Sequence, residues 1–194
     1  MRVFLLVLGV VLIMAFSSKA PTPLPTPSIT PSPNFTKTIW PRAEWAATAL
    51  KAVEASRLNG FNPRDGKAFC PNGMNLANWV NLLGAMVKHE SGFDPNQDYR
   101  ENFKDSDGTF VVSRGLFQIS MNSSNNYGCG FKKASEVYDP AKNIQCSVRI
   151  FEKWVLQDGV IASSGSPWRG AARYWAVLRA KVTKTKATLK PYCT

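Results

Sequence analysis

The stretch of residues 79–95 constrains the fold of this chain most strongly, because it joins an apolar helical face to a carboxylate. Trp79, Leu83 and Met86 recur at helical spacing. Glu90 continues the same face three helical turns after Trp79. Desolvation at the core-facing end of a helix disfavours the charged form of a glutamate, and such a carboxyl group suits a general acid. A helix-end glutamate held by a salt bridge is the competing interpretation.

The amino terminus predicts export. The apolar run Val3–Phe16 follows a single basic residue and is short for a membrane span, so residues 1–20 are expected to form a signal peptide cleaved near 17–20. Residues 21–37 are rich in Pro, Thr and Ser and predict an extended linker to a domain spanning 38–194. An uncleaved membrane anchor is the alternative. We expect a periplasmic or extracellular protein with no stable membrane insertion after processing.

The cysteines fit an oxidising compartment. There are four of them, Cys70, Cys129, Cys146 and Cys193. An even number in an exported chain favours two disulfides, for which three connectivities exist. We favour Cys129–Cys146, which closes a short loop, and Cys70–Cys193, which ties down the carboxyl-terminal tail. The sequence has neither a CxxC motif nor a His/Cys cluster, and His89 is its only histidine. Neither a metal nor a cofactor is therefore expected.

The formal net charge of +11 indicates an anionic partner or surface. An exported, disulfide-bonded chain seldom meets nucleic acid, so we expect no nucleic-acid partner. Bacterial cell wall, whose peptide stems are acidic, fits the charge and the compartment better. A generally basic soluble surface is the competing interpretation. We expect a monomer.

The remaining pattern predicts an α+β domain in which helices dominate and the sheet is minor. We expect helices over Pro41–Leu58 and from Asp139 to Gly159, where Asp-Pro starts the helix and Gly closes it. Ser166-Pro167 predicts the start of a last long helix. Residues 109–112 predict one short strand, half of a small hairpin.

Three motifs together resemble the soluble lytic transglycosylases and goose-type lysozymes of glycoside hydrolase family 23. The first is Glu-Ser-Gly-Phe-Asp-Pro at 90–95, and the second is Gly-Leu-Phe-Gln-Ile at 115–119. The third is Asp139-Pro140 with Asn143-Ile144, which the family places in the helix behind the cleft. The small transglycosylases of secretion systems look most similar. The resemblance implies a lysozyme-like fold in which a small β-hairpin flanks the active-site cleft.

The resemblance also implies a site and a reaction. Glu90 is expected to act as general acid and base in cleaving the β-1,4 bond between N-acetylmuramic acid and N-acetylglucosamine, leaving a 1,6-anhydro end. Ser91 is expected to orient Glu90 or the sugar, and Gln118 to hydrogen-bond the glycan. Phe117 and Tyr174 are expected to serve as sugar platforms, with core packing as the alternative.

Departures from the family leave other functions open. Goose-type lysozymes carry an aspartate directly after the second motif, where this chain has Ser120. A true hydrolase would need a second carboxylate, for which Glu101, Asp105 and Asp107 are the candidates. A catalytically idle wall-binding module and a structural assembly protein are further alternatives. The carboxylates between 94 and 107 also predict a locally negative cleft that prefers deacetylated peptidoglycan, unless they form a solvated loop away from the glycan.

Overall fold

The computed structural model describes residues 37–105, 107–163 and 165–194. The expected signal peptide at 1–20 and all but the last residue of the expected linker at 21–37 lie outside the described residues. The helices are α1 (Ala43–Glu54), α2 (Gly66–Phe69), α3 (Leu76–Glu90), α4 (Met121–Asn125), α5 (Pro140–Asp158), α6 (Val177–Ala180) and α7 (Val182–Leu189). Short 3₁₀ turns cover Ala134–Tyr138, Ala171–Arg173 and Lys190–Tyr192. The strands are β1 (Asp98–Lys104), β2 (Phe110–Arg114), β3 (Ala162–Ser163) and β4 (Arg169–Gly170).

Helix α3 runs through the middle of the core, and every residue from Asn78 to Val87 is buried. The side chain of Asn75 caps its first turn by accepting a hydrogen bond from the backbone N–H of Asn78 at 2.8 Å. Gly84 gives room for Trp40 to pack directly on the helix, and the Trp40 indole N–H donates to the carbonyl oxygen of Val80 at 2.9 Å. Burial on all sides fixes the direction of the helix, so its last residue, Glu90, is held by a rigid element.

The helix predictions around α3 are confirmed with shifted ends. The side chain of Asp139 accepts hydrogen bonds from the first backbone N–H groups of α5, and Gly159 ends that helix at φ 69°. Helix α1 is shorter at both ends than the expected 41–58, because residues 55–60 form turns. Helices α1 and α5 both pack around the core that α3 centres.

Both disulfide pairings are confirmed. Cys70 bonds Cys193 across a sequence separation of 123 residues, and Cys129 bonds Cys146 across 17. The first joins the loop after α2 to the carboxyl-terminal tail. The second joins the loop after α4 to α5. Both bridges therefore lie in the helical part of the described chain.

The predicted hairpin is present, and β1 pairs antiparallel with β2. Tyr99 lies opposite Ser113 and Arg100 opposite Val112, and the register shifts between Arg100 and Lys104. The sequence predicted only the β2 side of this hairpin. Strand β1 lacks an apolar alternation, and Glu101 is its one residue that is not exposed. The α+β architecture with a minor sheet is confirmed.

The expected long helix after Ser166-Pro167 is wrong. Residues 169–170 instead pair with β3. Gly170 has φ 61° and ψ −148°, which only glycine adopts readily. A Cβ atom there would also collide with the carbonyl oxygens of Val160 and Ile161. Of the four apolar residues whose spacing suggested one helix, Ala171, Trp175 and Leu178 are buried but Trp168 is exposed. A 3₁₀ turn and the short helices α6 and α7 carry the chain instead.

None of the helices in the described part of the chain is both long and apolar enough to cross a membrane.

Candidate active site

Glu90, the last residue of α3, lines a cavity of about 540 Å³. Strand β1 and the segment before α6 contribute the facing walls. The lining residues are His89, Glu90, Gln97, Tyr99, Glu101, Phe103, Asp105, Val111, Ser113, Gln118, Ser120, Ser123, Tyr127, Arg173, Tyr174, Trp175, Ala176 and Lys181. A concave site bounded by several elements, with polar and aromatic groups converging on it, is typical of ligand binding.

The Glu90 carboxyl group is strongly desolvated. Its Oε1 atom is buried and has no hydrogen-bond partner within the described residues. Burial raises the pKa of Glu90 to about 7, and the negative charge of Glu101 adds to the rise. The backbone N–H of Val177 and the cations Lys181 and Arg179 oppose it. The carboxyl group therefore holds its proton close to neutral pH, as a general acid requires.

Glu101 is the second carboxylate that approaches Glu90. It lies in the middle of β1, partly buried, and accepts a hydrogen bond from the Ser113 hydroxyl at 2.6 Å. Ser113 lies on β2 opposite Tyr99, two residues before Glu101, so a diagonal contact within the hairpin orients the carboxylate. The cavity thus brings one carboxyl group from the helical side and one from the hairpin side to the same space.

The other two candidate carboxylates have different positions. Asp105 lines the cavity and accepts a hydrogen bond from the side-chain amide of Asn122 at 3.0 Å. Asp107 is exposed and lies outside the lining. Its carboxylate accepts hydrogen bonds from the N–H and hydroxyl groups of Thr109 at 2.9 and 2.6 Å, which lower its pKa. Asp107 is therefore a turn residue, and the structure removes it as a second carboxylate.

The second motif forms a tight turn beneath the cavity, and Asn143 holds it in place. The Asn143 side chain accepts from the N–H of Phe117 at 3.0 Å and donates to the carbonyl oxygens of Arg114 and Val137 at 3.2 and 2.8 Å. Gly115 has φ 73°, and a Cβ atom there would meet the Asn143 amide and the Val137 carbonyl group. Glycine is needed at this position for both reasons. The third motif thus fixes the second.

Gln118 lines the cavity at the end of that turn. Its backbone has φ 48°, an uncommon conformation for a residue other than glycine. The side-chain amide donates to the carbonyl oxygens of Gln97 and Gly115, both at 2.9 Å. These bonds fix the amide group at the cavity wall. The expected site residue is therefore in place, held by the backbone around it.

Ser91 and Phe117 lie behind the cavity and are not part of its lining. The Ser91 hydroxyl donates to the carbonyl oxygen of Leu116 at 2.9 Å, which ties the end of α3 to the second motif. Phe117 is 0% exposed and packs between Trp40 and Trp175. A side chain with no exposed surface cannot stack on a sugar, so the expectation of a platform at Phe117 is wrong. Phe117 is a core residue.

Tyr174 lines the cavity with most of its ring buried. Its hydroxyl is 3.3 Å from the Ser124 hydroxyl, and burial raises its pKa. The centre of its ring lies 4.7 Å from the centre of the Trp175 ring, and the Tyr174 and Tyr127 rings pack edge to face. Only a limited part of Tyr174 therefore faces the cavity, and its role in substrate binding stays a prediction.

Sequence reasoning missed several residues of the site. Tyr99 and Phe103 line the cavity from β1. Arg179 lies outside the lining, but its positive charge acts on Glu90. The Arg179 guanidinium group donates to the carbonyl oxygens of Ala172 and Arg173 at 2.6 and 2.8 Å, which holds the segment before α6. No apolar alternation marked Tyr99 and Phe103, because the residue between them on the same face of β1 is Glu101. No local pattern marked Arg179, because its partners are backbone carbonyl groups.

In the part of the chain that the structure describes, no cluster of three His, Cys, Asp or Glu residues could hold a metal ion.

The chain is similar to a known protein family and to solved structures. A family model described as the transglycosylase SLT domain matches residues 72–176. A solved structure of wild-type DslA matches with 38% identity and a TM-score of 0.68, over 77% of this chain and 87% of that chain. Two DslA mutants, each with one glutamate replaced by glutamine, match over the same shares with 37% identity and TM-scores of 0.68 and 0.69. The replaced glutamates are eleven positions apart. A search of curated proteins found no match.

Proposed function

This chain belongs to the family of transglycosylase SLT domains, lytic transglycosylases that act on peptidoglycan, and on that premise we propose how it cleaves the glycan. The bond is the β-1,4 linkage between N-acetylmuramic acid and N-acetylglucosamine, and Glu90 is the general acid and base. The observation that carries the proposal is the desolvated, unpaired carboxyl oxygen of Glu90 at a cavity wall. The same surroundings keep the proton on the group that must donate it.

Glu90 would first donate its proton to the glycosidic oxygen, which leaves as the 4-hydroxyl group of N-acetylglucosamine. The anomeric carbon of N-acetylmuramic acid then carries positive charge, which the new Glu90 carboxylate stabilises. That carboxylate next accepts a proton from the 6-hydroxyl group of the same sugar, whose oxygen closes on the anomeric carbon. The product is a 1,6-anhydro end, and Glu90 regains its proton. One carboxyl group is sufficient for this route.

The other residues of the site would position the glycan or the acid. Gln118, whose amide nitrogen is committed to two carbonyl groups, has an amide oxygen that can accept a hydrogen bond from the sugar. Tyr174 would offer an edge for packing. Ser91 would act on Glu90 indirectly, because its bond to Leu116 sets the distance between the end of α3 and the second motif.

A second candidate, hydrolysis, is favoured by the position of Glu101. A carboxylate that faces Glu90 across the cavity and is oriented by Ser113 could hold or activate a water molecule. Glu90 and Glu101 are also eleven positions apart, the same separation as the two glutamates replaced in the DslA mutants. On this route water adds to the anomeric carbon, and the product has a reducing end instead of an anhydro end.

The disulfides fit an exported protein, as cleavage of peptidoglycan requires. We extend the proposal to the processing predicted above, with a signal peptide at 1–20, a linker at 21–37 and a catalytic domain at 38–194. The monomeric state also stays a prediction.

Replacement of Glu90 tests the proposal. Glu90→Gln keeps the shape of the side chain but cannot donate the proton, so we expect cleavage of peptidoglycan to fall by roughly 10²–10⁴-fold. Glu54→Gln is the matched control, since Glu54 also ends its helix but is exposed. Circular dichroism would show that both variants are folded. Near-normal turnover by folded Glu90→Gln would refute the assignment, and wall binding without cleavage by the wild-type protein would support the binding-module alternative.

The mass of the products separates the two routes. Digestion by the wild-type protein gives anhydro ends on the first route, and ends heavier by one water molecule on the second. If Glu101 handles the water, Glu101→Gln lowers hydrolysis by about 10²-fold, while Asp107→Asn, in the same hairpin but outside the cavity, leaves it unchanged. Anhydro products together with an active Glu101→Gln variant would leave Glu90 as the single catalytic carboxyl group.

A further inference from the structure

Strand β1 presents two aromatic side chains to the cavity that the proposed chemistry does not use. Side chains alternate between the two faces of a strand, so Tyr99, Glu101 and Phe103 share one face. All three line the cavity. The two aromatic residues therefore flank the carboxylate that the hairpin contributes to the site.

The exposure of these rings is unusual for their size. Tyr99 is 62% exposed and Phe103 is 56% exposed. Large aromatic groups left in water at a concave surface typically mark a binding site. The opposite face of the hairpin has a different arrangement, because the Arg100 guanidinium carbon and the Lys104 amine lie 3.9 and 5.1 Å from the centre of the Phe110 ring.

We propose that Tyr99 and Phe103 form a glycan platform, in which each ring stacks on the C–H face of a pyranose on either side of Glu101. A pyranose has an apolar face of axial C–H groups and a polar edge of hydroxyl and amide groups. The aromatic rings match the face, while Glu101, Gln97 and Gln118 supply hydrogen-bonding groups for the edge. This inference rests on the proposed function, because it takes the cavity to hold peptidoglycan.

The distance between the Tyr99 and Phe103 rings favours a glycan of several sugars as the ligand. A strand advances about 3.3 Å per residue, so the two side chains are up to about 13 Å apart along β1. That separation exceeds the length of one sugar ring, and a short fragment can reach only one platform. We therefore expect Tyr99 and Phe103 to make additive contributions to the binding free energy of long strands. A disaccharide should gain the contribution of only one of the two rings.

Binding by the Glu90→Gln variant tests the platform without cleavage of the probe. The probe is soluble peptidoglycan glycan strands from which the peptides have been removed, and isothermal titration calorimetry measures the affinity. In this background, Tyr99→Ala and Phe103→Ala should each weaken binding about tenfold, and the double variant more than either. Phe110→Ala is the control, because this exposed aromatic residue of the same hairpin lies on the other face and should change affinity less than about twofold.

Conservative variants separate stacking from damage to the hairpin. Tyr99→Phe and Phe103→Tyr keep a ring and should retain the affinity. In the active protein, Tyr99→Ala and Phe103→Ala should raise KM for long strands more than they lower kcat. Unchanged binding by both alanine variants, equal weakening by Phe110→Ala, or no binding of strands at all would overturn the platform. Failure of the proposed function shows differently, as full cleavage by Glu90→Gln or no cleavage by the wild-type protein.

Discussion

The cavity has a helical wall, where α3 ends in Glu90, and a hairpin wall, formed by β1 and β2. The two walls hold their carboxyl groups in contrasting surroundings. Glu90 ends a helix that is buried on every side, and one of its oxygens has no partner in the described structure. Glu101 lies on a strand whose other six residues are all exposed, and a serine hydroxyl bonds its carboxylate. Two glutamates thus line one cavity, one at the end of a buried helix and the other on a solvent-exposed strand.

This difference divides the chemistry between the walls. Desolvation favours the protonated form of Glu90. Glu101 instead lies on a largely exposed strand and accepts a hydrogen bond from the Ser113 hydroxyl. The helical wall therefore supplies the acid, and the hairpin wall supplies negative charge, hydrogen bonds and aromatic surface. Variation of the hairpin could change the substrate or the route and would alter the pKa of Glu90 only through the charge of Glu101, because burial is the largest cause of the raised pKa.

The largest expected effect concerns the disulfides, which both lie on the helical side of this comparison. In the loop-entropy model, losing Cys70–Cys193 through the Cys70→Ala, Cys193→Ala double variant costs about 4–5 kcal/mol of unfolding free energy. Losing Cys129–Cys146 costs about 3 kcal/mol, because it closes a much shorter loop. Urea unfolding measures both, with the m-value as a check on the compactness of the unfolded state. Equal losses for the two pairs would contradict this ranking.

The sequence predicted the helical wall better than the hairpin wall. The stripe that ends in Glu90, the caps of α5 and both disulfide pairs were readable, because each depends on local periodicity or on a small number of pairings. Strand β1 was missed, because seven mostly exposed residues have no apolar alternation to reveal them. Its order depends on pairing with β2, which is a tertiary property.

Individual site residues followed the same division. Glu90 and Gln118 belong to the first and second motifs and line the cavity, as does Tyr174, which the resemblance suggested. Phe117 was misassigned, since its sequence neighbours do not show that Trp40 and Trp175 cover its ring. The late helix was misassigned as well, because its apolar spacing gave no sign that β3 would pair with residues 169–170.

A smaller effect, the pH dependence of the unfolding free energy, tests whether the Glu90 carboxyl group is desolvated. The pKa of Glu90 is raised from 4.5 to about 7, so the folded state binds this proton more tightly than the unfolded state between those values. The unfolding free energy of the wild-type protein therefore contains a contribution that is full below pH 4.5 and is lost as pH rises through 7. Glu90→Gln removes the dependence and should gain up to about 3 kcal/mol relative to the wild-type protein at high pH.

Unfolding free energies measured across the pH range would check this. The expected pattern is a difference between wild type and Glu90→Gln that is smallest in acid and grows towards pH 7. Glu54→Gln should show no such trend, since Glu54 is exposed. A constant difference at all pH values would mean that the Glu90 carboxyl group is hydrated, and the contrast between the two walls would disappear.

The smallest effect concerns the charge of the hairpin wall. Of the carboxylates between 94 and 107, Glu101 and Asp105 line the cavity with Glu90, whereas Asp107 is bonded into its turn. The cavity also contains the cations Arg173 and Lys181 on the other wall, so negative potential is confined to the hairpin side. We expect the protein to cleave enzymatically deacetylated peptidoglycan faster than acetylated peptidoglycan, because a free ammonium group is attracted to this side.

Asp105→Asn tests this preference more cleanly than a change of the whole segment, because Asp107→Asn supplies a control one turn away on the same hairpin. For a partly solvated charge pair the expected gain is modest, about two- to fivefold in kcat/KM, and it should shrink as salt is added. Asp105→Asn should reduce the ratio of the two rates, whereas Asp107→Asn should leave it as in the wild-type protein. If acetylated and deacetylated peptidoglycan are cleaved at equal rates by all three proteins at low salt, the hairpin charges have no part in selecting the substrate. The role of the hairpin would then depend on its aromatic residues, whose stacking on sugar rings is insensitive to salt and to acetylation of the amine.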